Sequence, residues 1–200
     1  MIGTTKICDS RHGETDWNNE GILQGWTDVP INDNGRRQAR ELADTLAGER
    51  LSRIYTSPLR RAAETAEIIA GLWHMAPPTG HEGLKERNFG TVQGRPKREL
   101  AETNPHLLHE IVRRNPAAHF DQGETMNHFA KRVLGAIGDI GRDNPGARVL
   151  VITHGWVMDV ITRHIKHLPQ TAILNMKRKN IESVWLEVVR GEVIKESDHG

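Results

Sequence analysis

The chain is predicted to be an α/β protein, a three-layer sandwich with a mostly parallel central sheet, helices on both faces and a small inserted cap. Three observations predict it. Short apolar runs alternate with helical patterns along most of the chain, the order that builds a parallel sheet covered on both sides. Arg148 to Thr153 (RVLVIT) is apolar at successive positions, as a strand buried on both faces must be. One stretch, broken by Pro77-Pro78, Gly80, Gly83, Gly90 and Gly94, interrupts the alternation where a cap would be inserted.

Thr5 to Cys8 reads as the first strand, although Asp9 and Ser10 follow where a buried parallel strand would stay apolar. Glu14 to Asn32, rich in Asn, Gly, Trp and Asp, reads as a long functional loop. Asp33 to Gly48 carries Ala39, Leu42, Ala43 and Leu46 on one helical face. A short strand follows over Arg53 to Thr56. Ser57 suits an N-cap and Pro58 a first helical position, which predicts a helix from Pro58 to about Ala70.

Residues 73–122 are the least regular part and form the expected cap, with short helices over Lys97 to Thr103 and Pro105 to Arg113. Glu124 to Arg142 is an amphipathic helix with Phe129, Val133, Ile137 and Ile140 on its core stripe. Trp156 to His167 should form a helix behind the RVLVIT strand. Ser183 to Val189 and Glu192 to Lys195 read as two strands joined by a tight turn at Arg190-Gly191.

A length of 200 residues fits one domain, 1–200, with the cap inside it. Hydrophobic content of 36% and charged content of 26% belong to a soluble globular protein. Mean hydropathy is −0.57, and no apolar run approaches the roughly 20 residues of a membrane helix. The N-terminus lacks a secretory pattern, so a cytoplasmic location and no membrane partner are expected. The single cysteine, Cys8, precludes an internal disulfide and reads as a small residue in a buried strand.

A net charge of +1 supplies no global attraction for nucleic acid. Arg36-Arg37-x-x-Arg40 and Lys177-Arg178-Lys179 are short basic runs without interleaved aromatics, and read as a solvated helix face or loop. Of the eleven histidines, His106-x-x-His109 and His164-x-x-His167 lack an accompanying carboxylate or cysteine. HExxH is absent, so no metal site is expected.

The chemistry gathers at three strand ends. Arg11-His12-Gly13-Glu14-Thr15, Ser57-Pro58-Leu59-Arg60-Arg61 and Thr153-His154-Gly155 each follow a predicted strand. In such sheets ligands bind beyond the carboxyl ends of the strands. Arg11 and Arg61 would clamp the oxygens of a phosphomonoester, and Asn18 could donate to one more. His12 is the candidate nucleophile, with a backbone carbonyl holding its other ring nitrogen. His154 would face the equatorial oxygens, helped by N–H groups at the start of the helix behind it. Gly13 would let backbone approach the ligand. Glu86, in the loop Leu84 to Gly90, is the candidate general acid and then base. Singly, each residue is more often structural; together they point to one phosphate pocket.

Arg11-His12-Gly13-Glu14-Thr15-x-Trp17-Asn18 resembles the signature of the histidine phosphatase superfamily, in its phosphoglycerate-mutase-like branch. The likeness continues through Gln24-Gly25-Trp26-x-Asp28-x-Pro30, Tyr55 to Ala62, Glu64-Thr65-Ala66, Leu84-x-Glu86-Arg87-x-Phe89-Gly90, Gly123-Glu124-Thr125 and Thr153-His154-Gly155. The resemblance implies a phosphate-pocket quartet of Arg11, His12, Arg61 and His154, phosphorylation of His12, Glu86 as acid/base, and no metal or cofactor. It also implies substrate contacts at Gln24, Gly25 and Arg87. Asp9-Ser10 departs from the family's apolar strand.

This branch holds both phosphatases of small phosphorylated metabolites and phosphoglycerate mutases primed by 2,3-bisphosphoglycerate. Lys97 and Arg113-Arg114 fall where mutases contact the substrate carboxylate. Against that, only a few residues separate Arg114 from Gly123-Glu124, where mutases carry a longer insertion. Phe89 replaces a tyrosine, and Trp156 a small polar residue. The resemblance therefore implies a phosphatase first, a mutase second, and an inactive phospho-ligand-binding module third. Oligomeric state stays open, a homodimer among the options.

Overall fold

A computed structural model describes residues 3–169, 171–174 and 176–196. Its centre is a six-stranded sheet of β1 (Thr5–Arg11), β2 (Arg53–Thr56), β3 (Thr79–Gly80), β4 (Arg148–Thr153), β5 (Ser183–Val189) and β6 (Glu192–Glu196). The spatial order is β3-β2-β4-β1-β5-β6. The first four run parallel, and β5 and β6 add an antiparallel edge. Arg190 and Gly191, at φ +54 and +83, make the hairpin turn between those two.

Strand side chains alternate between faces. Cys8, Ile54, Leu150, Ile152 and Trp185 meet helices α2 (Asp33–Leu46) and α3 (Arg60–Leu72). Ile7, Val149, Val151, Leu186 and Val188 meet α6 (Met126–Asp143) and α7 (Gly155–Ile165). The expected stripe of Phe129, Val133, Ile137 and Ile140 is buried in this second layer. The architecture is the three-layer α/β sandwich that the alternation implies.

Several local expectations are corrected. Strand β1 does not stop at Cys8 but continues to Arg11, because Asp9 and Ser10 find partners in their neighbours. Thr153 Oγ1 donates to Asp9 Oδ1 at 2.5 Å, and Ser183 Oγ lies 3.0 Å from Ser10 Oγ. Burial still pushes the Asp9 carboxyl up to about 7. Helix α3 starts at Arg60 rather than Pro58, and Ser57 is not its N-cap. Asp28 Oδ1 instead accepts from Arg60 N at 2.7 Å, a cap borrowed from a distant loop. The 14–32 loop contains α1 (Asp16–Glu20), held by a reciprocal Thr15–Asn18 capping box and ended by Gly21 at φ +69. Helix α6 starts at Met126 rather than Glu124, capped by Thr125, and α7 ends at Ile165 rather than His167.

Within residues 73–122, β3 belongs to the sheet through its pairing with β2. The excursion then runs through two single-turn 3-10 segments, α4 (Lys97–Thr103) and α5 (Pro105–Val112). Its Leu84, Phe89, Val92, Leu100, Ile111 and Phe120 join the same core as α6 and α7. Gly94 N donates to Leu23 O at 2.7 Å and Lys97 N to Gly21 O at 3.0 Å, which ties the excursion to the 14–32 loop. Those two segments face each other above the carboxyl ends of β1, β2 and β4.

Candidate phosphate site

Arg11 is the last residue of β1, and His12 N donates to Thr153 O at 3.0 Å, so the two strand ends are locked together. His154 is the N-cap of α7, directly after β4. The His12 and His154 rings lie 5.2 Å apart between centroids, tilted by 57°. Both are buried. Burial, then the Arg61 guanidinium and other nearby positive charge, holds both imidazoles well below their usual range.

The tautomer of His12 follows from its neighbour. Its Nδ1 lies 2.7 Å from Gly13 O, and a carbonyl only accepts. The proton of the neutral ring therefore sits on Nδ1 and the lone pair on Nε2. His154 Nε2 lies 2.8 Å from Ser57 Oγ. The expectation for Gly13 is corrected: a Cβ there would come within 2.6 Å of Gly35 O, so its smallness serves the approach of α2. Thr65 Oγ1 accepts from Gly13 N at 3.0 Å and donates to Arg61 O at 2.7 Å, joining the nucleophile loop to α3.

Arg61 NH1 and NH2 donate to Thr27 O and Gly25 O at 3.1 and 2.8 Å. Arg11 NH1 donates to Arg178 O at 2.5 Å. Burial draws both guanidiniums down to about 10, which leaves them charged at neutral pH. The buried Nε atoms of both lack a hydrogen-bond partner among the described residues.

Glu86 is also buried. Its Oε1 accepts from Arg87 N at 2.9 Å, and Trp156 N, at the start of α7, points at Oε2 from 3.5 Å. One helix N–H expected to face an anion thus faces this carboxyl. Burial raises the Glu86 pKa, and Arg114, Arg61 and Arg11 oppose the shift. Trp26 Nε1 and Arg132 NH2 hold the Glu86 carbonyl at 2.7 and 2.8 Å.

Arg11, His12, Arg61 and Glu86 line a cavity of about 400 Å³, together with Asn18, Gln24, Gly25, Lys97 and Arg114. His154 stands behind His12, while its successors Gly155 and Trp156 reach the wall. Asn18 Oδ1 is occupied by Thr15 N at 3.1 Å and lies 3.4 Å from Asn180 Nδ2. Gln24 Nε2 donates to Thr15 Oγ1 at 2.9 Å. Two candidates fall elsewhere. Arg87 is buried beneath the site, where its guanidinium donates to the carbonyls of Glu124, Pro116 and Ala118 and lies over Phe120 and Trp156. Arg113 is exposed and its NH1 lies 3.4 Å from His109 Nε2. The residue after α5 must turn inward to reach the cavity, and only Arg114, at φ +58, does so.

The Lys177-Arg178-Lys179 run is not simply a solvated loop. Arg178 is buried, its NH1 donates to Glu182 Oε1 at 2.5 Å, and both Lys177 and Arg178 line the cavity. Asn180 also lines it and donates to His12 O at 2.9 Å. Sequence reasoning missed Asn180 because it lies in an aperiodic stretch. Ser57 was visible but was read as a helix cap. Among the described residues no group of three or more His, Cys, Asp or Glu is placed to hold a metal ion. No helix there is long and apolar enough to cross a membrane.

The family model of the histidine phosphatase superfamily (branch 1) matches residues 7–197. The chain is 34% identical over 182 residues to the uncharacterized phosphatase PhoE of Bacillus subtilis (strain 168), covering 89% of this chain and 88% of that one. It is 35% identical over 159 residues to a metal-independent phosphoserine phosphatase of Arabidopsis thaliana, covering 78% and 67%. The solved structure of Bacillus stearothermophilus YhfR superposes with a TM-score of 0.86 at 31% identity, over 94% of each chain. The sheet order, the paired histidines and this match over almost the full length agree: the chain belongs to the histidine phosphatase superfamily.

Proposed function

We propose that the protein is a metal-independent phosphomonoesterase that works through a phosphohistidine on His12. One observation carries the reading: the Gly13 carbonyl, 2.7 Å from His12 Nδ1, leaves Nε2 as a free lone pair inside a pocket of buried guanidiniums. In the first step His12 Nε2 attacks phosphorus and the bond to the ester oxygen breaks. Glu86, its pKa raised by burial, gives its proton to the leaving alkoxide. In the second step the Glu86 carboxylate takes a proton from water. The resulting hydroxide displaces His12 from phosphorus and releases inorganic phosphate. Arg11 and Arg61 offset the charge on the equatorial oxygens throughout, and His154, neutral and paired with Ser57, backs the His12 ring.

The substrate is proposed to be a small phosphorylated metabolite with a second acidic group. Lys97, Arg114 and Lys177 line the cavity beyond the phosphate end. The name of the phosphoserine phosphatase relative points the same way. The test is alkaline quenching after mixing with a phosphate donor. An acid-labile phosphoenzyme should be trapped in the native protein and be absent in His12→Ala; full turnover in His12→Ala would end the reading.

Lys97 and Arg114 also favour a second reading, a phosphoglycerate mutase primed by 2,3-bisphosphoglycerate. Supplying 3-phosphoglycerate with a trace of the bisphosphate separates the two. The hydrolase releases inorganic phosphate, and the mutase returns 2-phosphoglycerate.

A further inference from the structure

We propose that Asp159 is a positioning residue, the buried carboxylate that aims the Arg114 guanidinium at the acidic group of the substrate. The proposal rests on the reading of the cavity as a phosphomonoester site, and deepens it.

Asp159 lies on α7 with no exposed surface. Its Oδ2 is 2.8 Å from Arg114 Nε, an ion pair formed almost entirely out of water. An unpaired carboxylate at such depth is costly, so the pair is strongly held once the excursion has folded onto α7. Arg114 follows the C-terminus of α5, in a left-handed backbone conformation at φ +58. Its neighbour Arg113 points to solvent.

Three further contacts fix where the far end of the side chain goes. Arg163 NH2 donates to Arg114 O at 3.2 Å and pins the backbone. The guanidinium carbon lies over the Trp156 ring, 4.9 Å from its centre, and Trp156 is itself part of the cavity wall. A Cβ added to Gly155 would come within 2.6 Å of Arg114 NH2. The terminal nitrogen therefore reaches the residue directly after His154, beside the phosphate end. Asp159 lies beside Nε as an ion-pair partner, and NH2 lies at the wall, against Gly155, where a substrate carboxylate would arrive.

The same carboxylate has a second cation. Arg178 Nε lies 3.7 Å from Asp159 Oδ1, and the Arg178 carbonyl is the acceptor for Arg11. Asp159 thus stands between a cation for the acidic group and the segment that steadies a phosphate clamp.

The experiment measures dissociation constants of inorganic phosphate and of 3-phosphoglycerate for the native protein and for Asp159→Asn. No turnover is needed, so failure of the hydrolase reading would show in the His12→Ala trap and not here. The native protein should bind 3-phosphoglycerate more tightly than phosphate, and Asp159→Asn should reduce that preference about tenfold. Equal weakening of both ligands, or no preference in the native protein, would overturn the proposal. So would tighter 3-phosphoglycerate binding, which would make Asp159 a mere offset to the charge of the wall. Should Asp159→Asn fail to fold, Asp159→Glu keeps the charge but displaces the pair. It should lower the same preference, and an unchanged preference would overturn the proposal equally.

Discussion

Ser57 Oγ sits 2.8 Å from His154 Nε2, although the two residues come from the ends of different strands. The Ser57 hydroxyl thus joins an imidazole to the turn before α3, where its oxygen also accepts from Leu59 N at 3.3 Å. Ser57→Ala should leave the fold intact and lower kcat/KM about tenfold, the scale of one buried hydrogen bond. Steady-state kinetics beside a thermal melt checks it.

Glu86→Gln removes the proton donor and keeps the shape. Activity on an alkyl phosphate should fall about 10²–10⁴-fold. The loss should be much smaller on p-nitrophenyl phosphate, whose leaving group needs no proton. Comparing the two substrates is the check.

The pH profile follows from two opposite shifts. Burial holds His12 well below the usual imidazole range, so its lone pair survives into mildly acidic solution. Burial raises Glu86, so its acid form also persists there. The rate should therefore fall as pH rises through the Glu86 pKa, which burial places above the usual carboxylate range. In Glu86→Gln that alkaline limb should vanish.

Asp9 links pH to stability. Its carboxyl is raised from 3.8 to about 7, so the folded state binds a proton that the unfolded state releases. Its contribution is fully present below the unfolded pKa and is lost as pH rises toward about 7. Asp9→Asn should flatten the decline of melting temperature between pH 4 and about 7. Melts of both proteins across that window check it.

Arg87 and Arg113 should separate stability from kinetics. Arg87→Ala strands three carbonyl acceptors around a buried space and should cost about 1–3 kcal/mol for each group left unpaired. Arg113→Ala, at an exposed position, should leave kcat/KM within about twofold. Chemical denaturation and kinetics on the pair check it.

Where periodicity and buried apolar runs carried the signal, the sequence was legible. RVLVIT became β4 at its expected ends, and Lys97–Thr103 became α4. The stripe on α6 was legible because a 3.6-residue repeat leaves few alternatives. Errors fell where tertiary partners outbid local chemistry. Asp9 and Ser10 stayed in a strand because Thr153 and Ser183 met them. Ser57 lost its capping role to His154. The candidate site was legible wherever a residue ends or follows a strand, as Arg11, His12 and His154 do. Arg87 and Arg114 illustrate the remainder: both are arginines of the excursion, and only packing against Trp156 and Asp159 decides which one faces the cavity.

The first strand lies between β4 and β5, both made from the last third of the chain. A nascent polypeptide released from the ribosome before that third has emerged holds the His12 loop without either neighbour. It also lacks the Arg178 carbonyl that accepts from Arg11 and the Asn180 amide that donates to the His12 carbonyl. Assembly of the anion pocket is thus a late, long-range event in biosynthesis. An N-terminal fragment, however well its early helices form, carries the reactive imidazole as an unassembled side chain.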